Sequence, residues 1–277
     1  MKKIFLFFFL FTFSLHAEII ASGNDCGDDC HWEIDARTKT LTITGNGAIK
    51  DYERIYSADA MEYTTSAPWR EYVYQVENVN IGEGITSVGY DAFEDMYSVK
   101  NVSLPSTLTD IKDLAFHTCT NLQEITLPEK LKNIGDAAFS ASALRSVTFP
   151  ESLESIGQYA FPMLKTAILQ SAKDLALGAF GDDIAGRNDT WNQSRLENLY
   201  CQTELMEKCN KIASSLGIEA TEYKKLPNGR YAVNEKQFLS LTDIQNGRIY
   251  TPKRIYTIKE AEMVSKPTGN TFMIRYK

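Results

Sequence analysis

Histidine is nearly missing from this chain: His16, His31 and His117 are the three among 277 residues. No H-E-x-x-H, G-x-S-x-G, phosphate-cradling glycine loop or helix-opening G-x-G-x-x-G is present. The familiar sequence routes to metal-assisted hydrolysis, serine acylation and nucleotide binding are therefore excluded. The carboxylate pairs Asp28-Asp29 and Asp182-Asp183 are neighbours along the chain, which gives their side chains no reason to converge. His117 stands beside an Ala-Phe pair, at a position expected to face solvent. Positive charge is also scarce. Lys and Arg number 29 against 36 Asp and Glu, for a net charge of −7, whereas binding a phosphate backbone needs clustered cations. Nucleic acid is excluded as a partner, and the expectation is a chain that is not an enzyme and holds no cofactor and no metal.

Membrane-length apolar runs are lacking too. The one long run, IFLFFFLFTFSL at 4–15, follows Met1-Lys2-Lys3 and precedes His16-Ala17. It is shorter than the roughly 20 residues that a span needs. A basic start, a short apolar stretch and a small residue describe a secretory signal peptide over 1–17, cleaved after Ala17 or, second, after Ala21. No lipobox cysteine follows. Without Lys2 and Lys3 the net charge of −7 becomes −9. The expected location is secreted or cell-surface, with no transmembrane segment in the mature chain.

What is abundant is one pattern written four times: VENVNIGEGITSVGYDAFEDMYS (76–98), VKNVSLPSTLTDIKDLAFHTCTN (99–121), LQEITLPEKLKNIGDAAFSASA (122–143) and LRSVTFPESLESIGQYAFPM (144–163). A period in the low twenties is the mark of a solenoid. In the third unit Ile125 and Leu127 alternate with Glu124 and Thr126, which predicts a short strand with one buried face. Pro128 ends the ladder because it has no N–H. Leu131 and Ile134 point inward from an irregular or helical return. Ala138-Phe139 closes the coil, so that Phe93, Phe116, Phe139 and Phe161 stack as an internal column. One repeat cannot bury its own apolar face, and each depends on its neighbours.

The motif LP-x-x-L-x-x-I-x-x-x-AF-x-x-C-x-x-L resembles the bacterial surface leucine-rich repeat of the BspA-like (Treponema pallidum) type. It is carried by Leu127-Pro128, Leu131, Ile134 and Ala138-Phe139, and by Leu104-Pro105, Leu108, Ile111, Ala115-Phe116, Cys119 and Leu122. The resemblance spans roughly residues 24–215. It implies an α/β repeat solenoid, a leucine-rich-repeat horseshoe of short parallel strands with an N-terminal β cap; the residues beyond the repeats add a C-terminal helical cap and a small α+β tail. Cys26-Gly27, Trp32, Leu41-Thr42-Ile43, Gly45, Gly47 and Ala67-Pro68-Trp69 resemble the N-terminal cap of the same family, with Trp32 and Trp69 as lids. Cys119 falls where the family often carries a buried cysteine, which implies a free thiol.

Residues 18–75 thus read as a β-hairpin cap, with strands at His31–Ile34 and Thr40–Thr44 and Gly45-Asn46-Gly47 ending the second. Residues 76–200 read as the repeats, degenerate after 163 and interrupted by a polar insertion at 181–195. Within the insertion, Asp182, Asp183, Asn188 and Asp189 match no calcium-loop spacing, and Trp191 either folds back on the core or anchors a ligand. Residues 201–221 read as a capping helix, with Leu205, Cys209, Ile212 and Leu216 on one face and Gly217 at its end. Residues 222–277 read as a strand–helix–strand module, its helix opened by Thr257 and Glu260. Such a tail serves surface attachment, or is a structural appendage.

Five cysteines make two close pairs and a singleton. Cys201 and Cys209 are disulfide candidates. Cys26 and Cys30 are candidates for a disulfide closing a tight loop, or for a metal site with His31 and one of Asp25, Asp28 or Asp29. No second Cys/His cluster is present to complete the metal site.

The candidate ligand surface is the outward strand face, in two columns. One is Asn78, Asn101, Glu124, Ser146, Thr166 and Asn198; the other is Asn80, Ser103, Thr126, Thr148, Ile168 and Tyr200. With Trp191, Ile168 and Tyr200 form the expected hot spot. The resemblance implies a surface or secreted adhesin-like module that holds an extracellular protein or glycan. The alternative is a structural, envelope-associated scaffold of the same cell. The oligomeric state is not legible.

Overall fold

The computed structural model describes residues 17–57, 62–181 and 194–225, together with six short strands beyond them. The expected leader over 1–17 lies outside the described residues except for Ala17. Alternation builds the first hairpin. In β2 (Asp29–Asp35) Cys30, Trp32 and Ile34 face inward, and in β3 (Thr40–Ala48) Leu41 and Ile43 do. The turn between them is held by Asp35 Oδ1, which accepts from the amides of Arg37 and Thr38. A strand not anticipated from sequence, β1 (Ile19–Gly23), adds antiparallel to β2.

The Gly-Asn-Gly run does not end β3, as had been expected, but turns its corner. Thr40–Ile43 pairs with one set of strands and Gly47–Ala48 with another. Gly45 has φ +129°, and a Cβ there would meet the Asp29 carbonyl at 1.9 Å, so only glycine fits. A second unanticipated hairpin, β4 (Arg54–Ser57) with β5 (Glu62–Thr65), precedes the repeats.

Coil 1 contributes β6 (Asn78–Ile81) and β7 (Ile85–Val88), and coil 2 contributes β8 (Asn101–Ser103) and β9 (Asp110–Ile111). Coil 3 contributes only β10 (Asn133–Ile134). Coil 4 has β11 (Ser146–Phe149) and β12 (Ser155–Ile156), and coil 5 has β13 (Thr166–Leu169) and β14 (Asp174–Leu175). Then come β15 (Asn198–Gln202), α1 (Met206–Ser215) and β16 (Ala220–Lys225). An inner parallel ladder runs unbroken from β3 through β7, β9, β10, β12 and β14. A third set of bonds joins the Ala-Phe turns. The amides of Phe93, Phe116, Phe139 and Phe161 donate to the carbonyls of Ala115, Ala138, Ala160 and Ala179 at 2.8–3.0 Å.

The aromatic column forms as expected. Centroids are 5.1 Å apart for Phe93–Phe116, 5.2 Å for Phe116–Phe139 and 4.8 Å for Phe139–Phe161, with rings within 15° of parallel. Trp69 continues the stack at 5.3 Å from Phe93, and Trp32 meets Trp69 edge-on at 5.9 Å. Phe180 leaves the stack and meets Phe149 edge-on instead.

The outer ladder departs from expectation in coil 3. The strand expected around Ile125 and Leu127 does not form, and the ladder divides into β3-β6-β8 and β11-β13-β15-β16. The backbone of Gln123–Leu127 makes no hydrogen bond to the described residues. The phenylalanine spacing stays at 23 residues across the break (93 to 116, 116 to 139) and shortens to 22 after it (139 to 161). The column and the inner ladder hold across coil 3, and the outer ladder gives way.

The helix expected at 201–221 is present as α1 after a 3-10 turn, with Cys209, Ile212 and Ala213 buried and Gly217 at φ +66° beyond its end. It does not end the sheet, as a lid would. β16 pairs parallel to β15, Tyr223 is fully buried, and its hydroxyl donates to the Leu169 carbonyl at 3.0 Å. β17 (Tyr231–Val233) and β18 (Gln237–Leu239) extend that sheet antiparallel. The helix expected from Thr257 and Glu260 does not form at Ala261–Met263, which pairs as a strand with Ile274–Tyr276. There, strand pairing overrides local helix propensity.

Phe116 fills the column between two rings, so Phe116→Ala should lower unfolding free energy by about 3–5 kcal/mol, measured by urea denaturation. Amides at Glu124–Leu127 should exchange with deuterium at least 100-fold faster than those at Val147–Phe149, since the former have no acceptor. Equal protection would remove the break in the ladder.

Candidate ligand-binding face

The two outward columns come together in the register that the period implies, but not over their whole length. Asn78 pairs with Asn101, and Asn80 with Ser103. Ser146, Thr166 and Asn198 align, as do Thr148, Ile168 and Tyr200. Glu124 and Thr126 stand in the unpaired stretch between the two groups. The amide of Asn101 donates to Asn78 Oδ1 at 2.9 Å, and that of Asn78 to the Thr38 carbonyl at 3.1 Å, forming a side-chain ladder across the first coils.

Exposure divides the face. Asn80, Asn101, Ser103, Glu124 and Thr126 are exposed, while Asn78, Ser146, Thr148 and Asn198 are partly covered. At the other end Thr166 is buried, Ile168 is 0% exposed and Tyr200 is 4% exposed. Burial pushes the Tyr200 hydroxyl up to about 12. The expected hot spot at Ile168 and Tyr200 is therefore corrected. Alternation along a strand tells which side a residue points to, but not whether that side is covered. Trp191 lies outside the described residues, as do Asp182, Asp183, Asn188 and Asp189.

A cleft opens on the outer face at the break. Its volume is about 580 Å³, and it is lined by Asn101–Leu104 on coil 2 and Glu124–Thr126 on coil 3, with Glu83, Ser106, Pro128, Glu129 and Lys130 around them. Val102 and Ile125 are only partly buried there. Their counterparts Val79 and Val147, inside intact parts of the ladder, are 1% exposed. The Glu83 carboxylate accepts from the amide and hydroxyl of Ser106 at 2.8 and 3.0 Å, and the backbone bond above all holds it below the ordinary range.

Sequence reasoning missed a buried charged cluster at the first Ala-Phe turn. Asp91 is 0% and Glu94 1% exposed. Arg54, from the β4–β5 hairpin, grips Glu94 through both Nη2 and Nε. His117 Nδ1 lies 3.0 Å from the same carboxylate, so this histidine is part-buried and engaged rather than open to solvent. Arg54 Nε is also 3.8 Å from Asp91 Oδ1. Burial, and then the adjacent Glu94, push Asp91 up to about 8. Burial opposes ionisation of Glu94 as well, but bonds from His117 and Arg54 outweigh it and hold Glu94 low. Asp91 is thus the proton-bearing member of the pair. Arg54 lies 40 residues from Glu94 along the chain, a separation that left no signal in the sequence.

Both cysteine pairs are disulfides, Cys26–Cys30 and Cys201–Cys209, and Cys119 is a buried free thiol. Disulfide bonding removes the thiolates that a Cys26–Cys30 metal site would need. His31 Nδ1 instead meets Asn24 Oδ1 at 2.8 Å. Among the described residues no helix is long and apolar enough to cross a membrane.

Comparison with known proteins places this geometry. The model of the BspA type leucine-rich-repeat region matches residues 71–172 in six copies. Among solved structures, a leucine-rich repeat protein from Eubacterium ventriosum is similar, at 26% identity and a TM-score of 0.53, with 67% of this chain and 45% of that one covered. This chain therefore spans less than half the length of that relative. The T. pallidum leucine-rich repeat protein is 22% identical with a TM-score of 0.36, covering 69% of this chain and 77% of that one. None of the curated proteins matches.

The folded chain keeps on Asp91 a proton that the unfolded chain, with an ordinary value of 3.8, releases. Stability from this group is whole below pH 4 and falls as pH rises toward about 8. Asp91→Asn keeps the size and polarity of the side chain without the titration. Its urea midpoint should therefore fall less than the wild type's between pH 5 and 8. Parallel slopes would disprove a protonated Asp91.

Proposed function

We propose that this chain, whose residues 71–172 match the model of the BspA type leucine-rich-repeat region, is an exported binding protein, adhesin-like, holding extracellular protein or glycan ligands on its outer strand face. The observation that carries this reading is the exposed polar run Asn80, Ser103 and Thr126, set one coil apart on a stacked scaffold. Repeat scaffolds of this kind present ligands with a long surface whose chemistry varies coil by coil while the buried positions stay constant. Two disulfides fit an oxidising compartment outside the cytoplasm. The charged cluster at Asp91 and Glu94 is enclosed, offers no group to a substrate, and belongs to the framework. The short apolar leader at 4–15 supports export.

The test is capture from extracellular-matrix and mucosal extracts by the full chain, beside Asn80→Arg/Ser103→Arg with folding checked by circular dichroism. The expected result is a partner retained by the wild type and at least tenfold less by the variant. A partner held equally by both would remove the ligand from this face. No partner for either would overturn the binding role and leave a structural role in the envelope.

A further inference from the structure

We infer that the stacked tyrosines Tyr74 and Tyr97, on the rim of the outer face at its N-terminal end, are a platform on which one pyranose ring of an uncharged glycan stacks. The inference rests on the reading of the outer face as a binding surface, and it names the class of ligand and its anchor.

Placement comes first. Tyr74 and Tyr97 each stand four residues ahead of an outward asparagine, Asn78 in β6 and Asn101 in β8. The backbone ladder of the face continues into the turns that carry them. There the amides of Ser98 and Lys100 donate to the carbonyls of Val73 and Glu77 at 3.1 and 2.8 Å. The two tyrosines are 23 residues apart, which is the repeat period, so they hold the same position in successive coils. Their ring centroids lie 5.1 Å apart, with the planes 17° from parallel. Coil 3 has Thr120 at this position, and the aromatic run stops there.

The framework does not enclose Tyr74. At 74% exposure it is the most open large apolar side chain among the described residues. Tyr97, on which it lies, is partly buried. Ser98 Oγ donates to the Tyr74 carbonyl at 3.1 Å and Asn121 Nδ2 to the Tyr97 carbonyl at 2.6 Å, which fixes both turns. A held ring thus backs an open one, and little freedom is left to lose on binding.

The surroundings select the ligand. A pyranose presents a flat face of C–H groups, which an open aromatic ring matches, and an edge of hydroxyls, which need donors and acceptors. Gln75, Thr120 and Asn121 stand exposed beside the rings in chain or in register. Charge is balanced here. Glu77 is bonded by Lys39 and Lys100 at 2.6 and 2.8 Å, Glu94 is bonded by Arg54, and Arg70 stands next to Glu71. No carboxylate in surplus draws an arginine onto the ring. A proline-rich segment docks in an aromatic-lined groove, and two rings stacked on each other leave no slot between them.

The probes are fluorescein-labelled hexasaccharides of glucose, galactose, mannose and N-acetylglucosamine, with decaproline and the peptide GRGRGRG as rivals. Binding to the full chain is read by anisotropy. At least one hexasaccharide should bind. Tyr74→Phe keeps the ring and should hold that sugar within twofold of the wild type. Tyr74→Leu and Tyr74→Ala should each weaken it at least tenfold, with the circular dichroism unchanged. Irradiating aromatic protons of the protein should saturate the C–H protons of one sugar face. Binding of no hexasaccharide, equal binding by Tyr74→Leu, or a rival peptide held more tightly and lost in Tyr74→Leu overturns the platform. If matrix capture is still lost in Asn80→Arg/Ser103→Arg in that event, the reading of the outer face stands and only the platform falls. A sugar held through Tyr74, with matrix capture unchanged in that double variant, does the reverse.

Discussion

No coil of this solenoid can bury its own phenylalanine, and most of the architecture answers that constraint. Each ring is covered by the rings before and after it, 4.8–5.2 Å away. Such a rise requires backbones to pass close beside the rings, which is why Ala92, Ala115, Ala138, Ala160 and Ala179 are all fully buried. It also requires a tight turn before each Ala-Phe pair. Asp91, Leu114, Ala137 and Tyr159 adopt it at φ +53 to +61° without glycine, a conformation costing roughly 1–2 kcal/mol per residue that the stacked coils over-determine.

The column needs an end, and the N-terminal residues supply one by carrying the stack onward. Trp69 lies parallel to Phe93 and donates its indole N–H to the Ala92 carbonyl at 2.8 Å. Trp32 closes over Trp69 and bonds Asp25 at 2.8 Å. The β4–β5 hairpin is fastened to the same turn by Arg54 on Glu94. Two buried carboxylates beside one guanidinium are tolerable only when one of them keeps its proton, so a structural pin becomes a titrating group.

The Ala-Phe bonds and the inner strands cross coil 3 intact, and the outer strands do not. A rigid interior thus produces an irregular exterior. That irregularity, rather than the regular ladder of Asn, Ser and Thr, is where the outer face has depth, apolar floor and unmet hydrogen bonds. Binding modules gain specificity at such places, because a flat polar ladder offers little desolvated surface.

The repeats, the phenylalanine column, the tryptophans at its end, the polar columns and the cysteine pairs were all legible along the chain. Each follows from short-range periodicity or from pairs close in sequence. The pairing of Arg54 with Glu94, the burial of Ile168 and Tyr200, the bend at Gly45 and the continuation of the sheet beyond α1 were not. Each depends on which surface meets which, or on contacts tens of residues apart. Which side chains face inward is readable from the chain alone, because the hydrophobic period is local. Which outward positions meet solvent, and where the outer ladder opens, emerges only when the coils stack, because both depend on contacts between successive coils.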